Sequence, residues 1–316
     1  MEALLEVKQL KKYFRTPNGM LHAVDDVSFN IQKGEILGVV GESGCGKSTL
    51  GRTILHLLDS TNGQIIYKGE DITNVDKKRL KELRKQTQII FQDPFASLDP
   101  RRTVGDTIGE PVKIYRQCKS AKERSERVFQ LMDLVGLSER FVNSYPHELD
   151  GGRRQRIGIA RALSLDPEFI VCDEPVSALD VSIQAQILNL LQDLQTQRGL
   201  TYMFITHDLS VVKHLSTKIL VMYLGEVVEY TDTAELFERP RHPYTEALLS
   251  AVPIPAISKT KKRILLKGEI SSPVNPKPGC RFAPRCEYAC EECRKKKVKL
   301  LEISKEHFVA CHRAGK

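Results

Sequence analysis

Apolar residues follow two rhythms along the chain: short runs, unbroken or at every second position, that suit strands, and longer runs at helical spacing. Leu4-Leu5-Glu6-Val7-Lys8-Gln9-Leu10 alternates as a half-buried strand does, and Leu21–Ile31 supplies a second strand region that stops at the turn Gln32-Lys33-Gly34. Glu35–Val40, Phe169–Asp173, Tyr202–His207 and Lys218–Met222 are largely apolar and read as buried strands. Gly63–Gly69 reads as one arm of a small antiparallel sheet. From Thr103 to about Leu165 the spacing turns helical, with Val128, Leu131, Met132 and Val135 on one face as a core stripe without chemistry. Strands alternating with helices predict the α/β class, a mainly parallel sheet covered on both faces, with a helical insertion over residues 93–165. After Tyr230 the rhythm breaks at Pro240, Pro243, Pro253 and Pro255, and the C-terminal stretch becomes rich in Cys and Lys. This predicts a domain boundary near residue 232, with domains 1–232 and 233–316.

The composition of the 316 residues, 41% hydrophobic and 28% charged, is that of a soluble globular protein. No window approaches the roughly 18 unbroken apolar residues of a membrane span. The segment Met1–Val7 lacks a basic region followed by an apolar core, so no signal peptide is expected and the chain should stay in the cytosol. Eight cysteines in that compartment suggest metal ligands or core thiols rather than disulfides. The net charge of +8 concentrates in Lys259–Arg263, Arg294–Lys299 and Lys77–Lys85. No aromatic-interleaved stripe or recognition helix accompanies it, so specific nucleic-acid binding is not expected; a solvated surface or an anionic membrane face suits the charge.

Chemistry enters at Gly41-Glu42-Ser43-Gly44-Cys45-Gly46-Lys47-Ser48-Thr49, which fits the phosphate-binding pattern G-x-x-x-x-G-K-[ST] between a buried strand and a helix start. Its glycines let backbone N–H groups curl around an anion, Lys47 would reach the β- and γ-phosphates, and the Ser48 hydroxyl would ligate Mg²⁺. The chain is therefore expected to bind a nucleoside triphosphate. Phe169-Ile170-Val171-Cys172-Asp173-Glu174 ends a buried strand in two carboxylates. Asp173 is placed to hold Mg²⁺ through water, and Glu174 to polarise the attacking water. In Pro146–Arg156 the adjacent Gly151 and Gly152 open a helix over Ile157–Leu163, a second anion-binding helix start. One nucleotide does not need two, which points to a second copy or sister chain supplying half of each site.

With these motifs in hand, the chain resembles the ATP-binding subunits of ABC transporters, and among them those of the dipeptide/oligopeptide importers, over nearly its whole length. The resemblance matches the phosphate loop to residues 41–49, the Q-loop glutamine to Gln92 in Phe91-Gln92-Asp93-Pro94, and the signature to residues 149–153. It matches the D-loop to Ser177-Ala178-Leu179-Asp180 and the switch histidine to His207. Phe14 corresponds best to the aromatic that stacks on adenine, with Tyr13 second. Arg241-His242-Pro243-Tyr244-Thr245 resembles a stretch typical of the peptide-importer branch, and Gly158–Leu163 with Pro175–Asp180 lean towards the "F" member of its two ATPase subunits.

The resemblance implies a P-loop ABC ATPase core with a small antiparallel β subdomain, working as a head-to-tail heterodimer with a second ATPase subunit. ATP would lie between Phe14, Gly41, Ser43, Gly44, Cys45, Gly46, Lys47, Ser48 and Thr49 of one chain and Asp150, Gly151, Gly152 and Asp180 of the other. Ser48, Gln92 and Asp173 would hold Mg²⁺, and Glu174, His207 and Gln92 would carry hydrolysis. Two transmembrane permease subunits and an extracellular solute-binding protein would complete an importer, with this chain peripheral at the cytoplasmic face of the membrane. Importers of nickel or other small solutes have closely similar ATPases, so the cargo stays open. A soluble ABC ATPase usually carries two cassettes or a coiled-coil arm, and this chain has one cassette with neither.

Two stretches need separate treatment. Where the family has Leu-Ser-Gly-Gly-Gln, this chain has Leu149-Asp150-Gly151-Gly152-Arg153. A carboxylate brought to about 4 Å from a phosphate costs on the order of 4 kcal/mol at an effective dielectric near ~20. Arg153 would offset part of it by pairing with Asp150 or with phosphate. Unequal sites are the expectation, this chain's own phosphate loop forming the hydrolytic one and its altered signature capping a weak or non-hydrolytic one; a harmless variant, its charge screened or neutralised locally, is the alternative. In the tail, Cys280, Cys286, Cys293 and Cys311 are separated by five, six and seventeen residues. Four thiolates suit Zn²⁺ or an iron–sulfur cluster, and the gaps lack the tight C-x-x-C pairs of most structural zinc sites. The resemblance implies a [4Fe–4S] cluster, with Zn²⁺ the alternative; Cys290 is spaced off the family pattern and is left out. Arg281, Arg285 and Lys295–Lys297 are expected to balance an anionic thiolate centre, and Cys45, Cys118 and Cys172 to be packing residues.

Overall fold

A computed structural model describes residues 3–252, 264–266, 268 and 272–314, which divide into two units, 1–74 with 204–316 and 75–203. Pro253, Pro255 and the basic run 259–263 lie outside the described residues.

In the first unit, β1 (Ala3–Thr16) runs past the predicted alternation, because beyond Leu10 it continues as a ribbon with β2 (Gly19–Gln32). Pairing runs from Ala3↔Gln32 to Thr16↔Gly19, and the other edge of β1 takes β4 (Asn62–Tyr67), itself paired with β5 (Glu70–Asp71). This is the predicted small antiparallel sheet. The buried strand β3 (Ile36–Val40) pairs in parallel with β9 (Lys218–Tyr223) and hands the chain to α1 (Lys47–Ile54). From β9 the chain reverses through Leu224 and Gly225, both at positive φ, the turn that suits the strand twist of a hairpin, into β10 (Glu226–Asp232). Helices α8 (Leu209–Leu215), α9 (Thr233–Glu238), α10 (Pro243–Ser250) and α11 (Glu291–Lys295) complete this unit with a hairpin of β11 (Leu301–Ser304) and β12 (His307–Val309). β12 pairs antiparallel with β10. Residues beyond 232 thus extend the sheet of the first unit and pack with it.

That attachment is organised by Glu229, fully buried on β10. Its carboxylate accepts the N–H of Arg241 (2.8 Å), the N–H of His242 (3.0 Å) and a hydrogen bond with His307 Nε2 (2.8 Å). Burial holds the His242 pKa down at about 4, so its ring is neutral and Nδ1 accepts the N–H of Tyr244 (3.1 Å), capping α10. The stretch Arg241–Thr245, flagged in the sequence as a branch feature, is therefore a docking segment.

In the second unit, β6 (Thr87–Ile90) lies parallel to β7 (Phe169–Asp173), and helices α2 (Lys77–Gln86), α3 (Pro94–Ser97), α4 (Val104–Ile114), α5 (Ala121–Leu134), α6 (Gly151–Leu163) and α7 (Val181–Arg198) accompany them. The unit boundary falls within β8 (Thr201–Ile205). Val128, Leu131, Met132 and Val135 are buried, as their spacing predicts. Helix α6 opens at Gly151, the first of the two glycines expected to open it. Asp150 accepts the Arg153 N–H at 2.8 Å, and this N-cap outweighs the low helix propensity of the two glycines. Among the described residues no helix is long and apolar enough to cross a membrane.

Replacing Glu229 by Ala strips three donors of their acceptor inside the protein. We expect a loss of about 3–5 kcal/mol in denaturant-induced unfolding, the scale for breaking a buried, hydrogen-bonded charged group.

Candidate active site

The phosphate loop is shaped by close approach of backbone to backbone. Gly41, Gly44 and Gly46 have φ of 152°, 78° and 103°. A Cβ on Gly46 would strike the Ala23 carbonyl oxygen, and one on Gly41 the Met222 carbonyl oxygen. Glycine is thus required twice over, by conformation and by space. Gly225 N–H donates to Cys45 O (2.8 Å), fastening the hairpin between β9 and β10 to the loop. Lys47 is only 4% exposed, its Nζ donating to the carbonyls of Gly41 (2.8 Å) and Glu42 (3.1 Å), so the ammonium curls over the loop. Ser43 and Gly44 face solvent, Ser48 and Thr49 are half-buried, and Cys45 is buried, which pushes its thiol pKa up. The first N–H groups of α1 lack helical partners and point their dipole at the loop.

On the same unit, His207 is exposed just beyond β8, beside Thr206 whose N–H donates to Val39 O (3.1 Å) at the end of the strand that leads into the loop. The aromatic candidates separate clearly. Tyr13 stacks on His22 (centroids 3.9 Å apart) and donates its hydroxyl to Asp25 (2.6 Å), so its ring is committed within the protein. Phe14 is half-buried with the Lys12 ammonium over it at 4.9 Å and makes no ring stack among the described residues, which leaves it the better stacking surface.

The second unit carries the acids. Asp173 is buried at the end of β7, 1% exposed, and Glu174 follows in the left-handed region at φ 47°. A non-glycine residue held there stores backbone strain, a recurrent trait of functional positions. Gln92 Nε2 donates to Glu174 Oε2 (3.0 Å), joining two predicted site residues that lie far apart in the chain. The D-loop is held by Gln184, whose Nε2 donates to the carbonyls of Val176 and Leu179 (3.0 Å each); no sequence motif marks this residue. Asp180 stands exposed at the N-cap position of α7.

In the signature, Asp150 caps α6 and forms an ion pair with Arg153 (2.6 Å). Its charge is thus countered by a guanidinium, the offset expected of Arg153, and by the helix dipole. A Cβ on Gly152 would come within 2.7 Å of Ile183 and one on Gly151 within 3.1 Å of Leu179. The buried Arg154 donates to Pro146 O (2.6 Å) and lies over the Phe95 ring at 3.4 Å, a tie that sequence reasoning missed.

Cys280, Cys286, Cys293 and Cys311 line one cavity of about 170 Å³. Cys290, omitted on spacing, lines it too, with its Sγ 3.4 Å from that of Cys293; the Cys290-Glu291-Glu292-Cys293 pair is a C-x-x-C that the family pattern obscured. Burial pushes the Cys280 thiol up to about 11 and raises Cys286 and Cys293 as well. The buried Nε2 of His312, on the same wall, has no partner among the described residues. No three His, Cys, Asp or Glu side chains among them converge as ligands of a single metal ion.

The cations expected to serve these thiols are engaged elsewhere. Arg281 pairs with Asp25 and Glu226, Arg285 with Glu42, Lys295 with Glu291, and Lys297 with Glu226. The cation on this wall is Arg313, stacked 3.7 Å over Tyr288. Cys45 and Cys172 are buried packing residues, whereas Cys118 is half-exposed.

Residues 24–177 match the family model described as ABC transporter, and residues 228–293 the one described as oligopeptide/dipeptide transporter, C-terminal region. The chain is 52% identical to the oligopeptide transport ATP-binding protein AppF of Bacillus subtilis over 98% of this chain and 97% of that one. It belongs to the ABC transporter ATPases. OppF of Haemophilus influenzae, an oligopeptide transport ATP-binding protein, is 50% identical over 98% of this chain and 97% of its own. Among solved structures, a dimeric ATP-binding cassette in a post-hydrolysis state with ADP and phosphate matches at TM-score 0.67 and 31% identity, covering 72% of this chain and 98% of that one. The P-loop ABC ATPase fold read from the sequence is therefore the fold of this chain.

For this ABC ATPase, Gly46→Ala should abolish retention on immobilised ATP. Left-handed backbone alone costs a non-glycine residue about 1–2 kcal/mol, and the Ala23 carbonyl leaves the methyl no room.

Proposed function

We propose that this chain is the ATP-hydrolysing subunit of an importer of di- and oligopeptides. One observation carries the reading: the Gln92–Glu174 hydrogen bond (3.0 Å) at the end of a buried strand, in a chain whose C-terminal region matches that of oligopeptide/dipeptide transporters. The N–H groups of the loop from Ser43 to Thr49 take the phosphates, and the Lys47 ammonium exchanges its carbonyl partners for β- and γ-oxygens. On the first unit Ser48 would ligate Mg²⁺; on the second, Gln92 is a candidate ligand and Asp173 would hold the ion through water. Mg²⁺ keeps several waters and substrate oxygens, so this small protein donor set fits it. Glu174 accepts the proton of the attacking water, Gln92 couples the nucleotide to the membrane subunit, and His207 contacts the γ-phosphate. Phe14 stacks on adenine.

In the assembled transporter, Asp150, Gly151 and Gly152 meet the nucleotide of a second ATPase subunit, with Asp180 beside it. The pair drives two permease subunits fed by an extracellular solute-binding protein, and this chain sits at the cytoplasmic face of the membrane. The two ATP sites are unequal, the one capped by Asp150 being the slower. Cys280, Cys286, Cys293 and Cys311 hold a [4Fe–4S] cluster. Thiols spread around a cavity suit a body with several corners better than a single tetrahedral ion, whose sulfurs all lie at about 2.3 Å from one point. Bound there, the cluster would cross-link the tail and offer a one-electron redox centre.

Glu174→Gln should lower kcat by about 10²- to 10⁴-fold, the contribution of a general base, while ATP is still retained; unchanged turnover would remove Glu174 from that role. Iron, sulfide and zinc analysis after anaerobic purification should give about four irons and four sulfides per chain, as the cluster formula requires. A zinc-only result would exclude the cluster.

A further inference from the structure

Glu42 occupies a free position of the phosphate-loop pattern, yet all of its polar groups are spoken for by other parts of the first unit. Its carboxylate is gripped by the Arg285 fork, Nη1 to Oε2 at 2.7 Å and Nη2 to Oε1 at 3.1 Å. Its N–H donates to the Tyr244 hydroxyl at 2.9 Å, and its carbonyl accepts from Lys47 at 3.1 Å. The Arg285 side chain is 9% exposed and Tyr244 is fully buried. Both belong to the chain beyond residue 232. Tyr244 stands on α10, moored by Glu229, and Arg285 directly precedes Cys286 on the cysteine cavity.

We propose that Arg285 and Tyr244 are positioning residues for the phosphate loop, so that the C-terminal extension sets the affinity of this ATPase for its nucleotide. The proposal rests on the ATP-binding reading above. Two physical effects combine. A carboxylate in an anion-binding loop repels the triphosphate unless a cation neutralises it, and a bidentate guanidinium does so in fixed geometry. The Tyr244 hydroxyl also fixes the Glu42 peptide, whose carbonyl holds the Lys47 ammonium. Loss of either tie frees the segment that aims the lysine. Arg285 also donates to the Tyr223 hydroxyl at 3.4 Å, and its effect on the loop runs through Glu42.

The test uses the full chain with mant-ATP as probe for affinity and MgATP for turnover, each variant being checked by its melting temperature. Arg285→Gln should weaken mant-ATP binding at least about tenfold, one power of ten in the dissociation constant, with kcat at saturating MgATP little changed. Arg285→Lys, which keeps the charge but loses the fork, should fall between. Adding Glu42→Gln to Arg285→Gln should restore most of the affinity, because the unneutralised carboxylate is gone; a purely structural role for Arg285 gives no such rescue. Wild-type affinity in Arg285→Gln, or a double variant as weak as the single one, overturns the proposal. Should Arg285→Gln fail to fold, a folded double variant decides: near-wild-type affinity supports the proposal and weak binding overturns it. Failure of the wild-type chain itself to bind mant-ATP would instead strike the nucleotide reading beneath it.

Discussion

A carboxylate with no access to water anchors the first unit. Glu229 cannot be hydrated where it sits, and a buried charge persists only with its acceptor sites filled. Two backbone N–H groups and the His307 ring fill them. Those donors come from widely separated stretches, so the one side chain gathers β10, the entrance of α10 and β12. Neutral His242 then caps α10 and places Tyr244. From there the chain of contacts leads to the rear of the phosphate loop, through Tyr244 to the Glu42 peptide and through Arg285 to its carboxylate. Aromatic packing fills the space between these ties, with Phe282 against Tyr223 and Tyr244 at ring distances of 5.3 and 5.4 Å.

The second unit follows a different logic. Its candidate site residues sit at ends and caps rather than in a mooring network. Asp173 ends a strand, Glu174 holds a strained backbone just past it, and Asp150 and Asp180 stand at helix starts. These are places where backbone donors are unsatisfied and the helix dipole is strongest, so they suit recognition of anions. The exchange of serine for aspartate in the signature is absorbed locally, since aspartate caps a helix as well as serine does and Arg153 counters its charge.

The cysteines show how a linear pattern and a cavity differ. Spacing sorted them into four ligands and a stray, but the fold lines one cavity with all five and sets Cys290 against Cys293. Spacing also assigned the nearby cations to the thiols. In the folded chain Arg281, Arg285 and Lys297 meet Asp25, Glu226 and Glu42, carboxylates that no local pattern connects with them, and Lys295 alone pairs locally, with Glu291 one helical turn away. An ion pair forms with whichever charge the backbone brings close, and for residues separated by most of the chain that is settled by topology.

Sequence alone determined the buried strands, the glycines and lysine of the phosphate loop, the acids at the end of β7, the Val128–Val135 stripe and the α/β class. Each is a local matter: an apolar run, a helical period, or a left-handed turn that only glycine tolerates. Tertiary structure decided the rest. It capped α6 with the Asp150 side chain and committed Tyr13 to His22 and Asp25. It joined Gln92 to Glu174 and placed Gln184 behind the D-loop. It also closed Arg285 on Glu42, turning a free position of the loop pattern into the point where the extension holds the phosphate loop. These contacts depend on side chains distant in sequence meeting in a dry interior, where an unpaired polar group is costly, and that pairing is written in the fold rather than in any stretch of the chain.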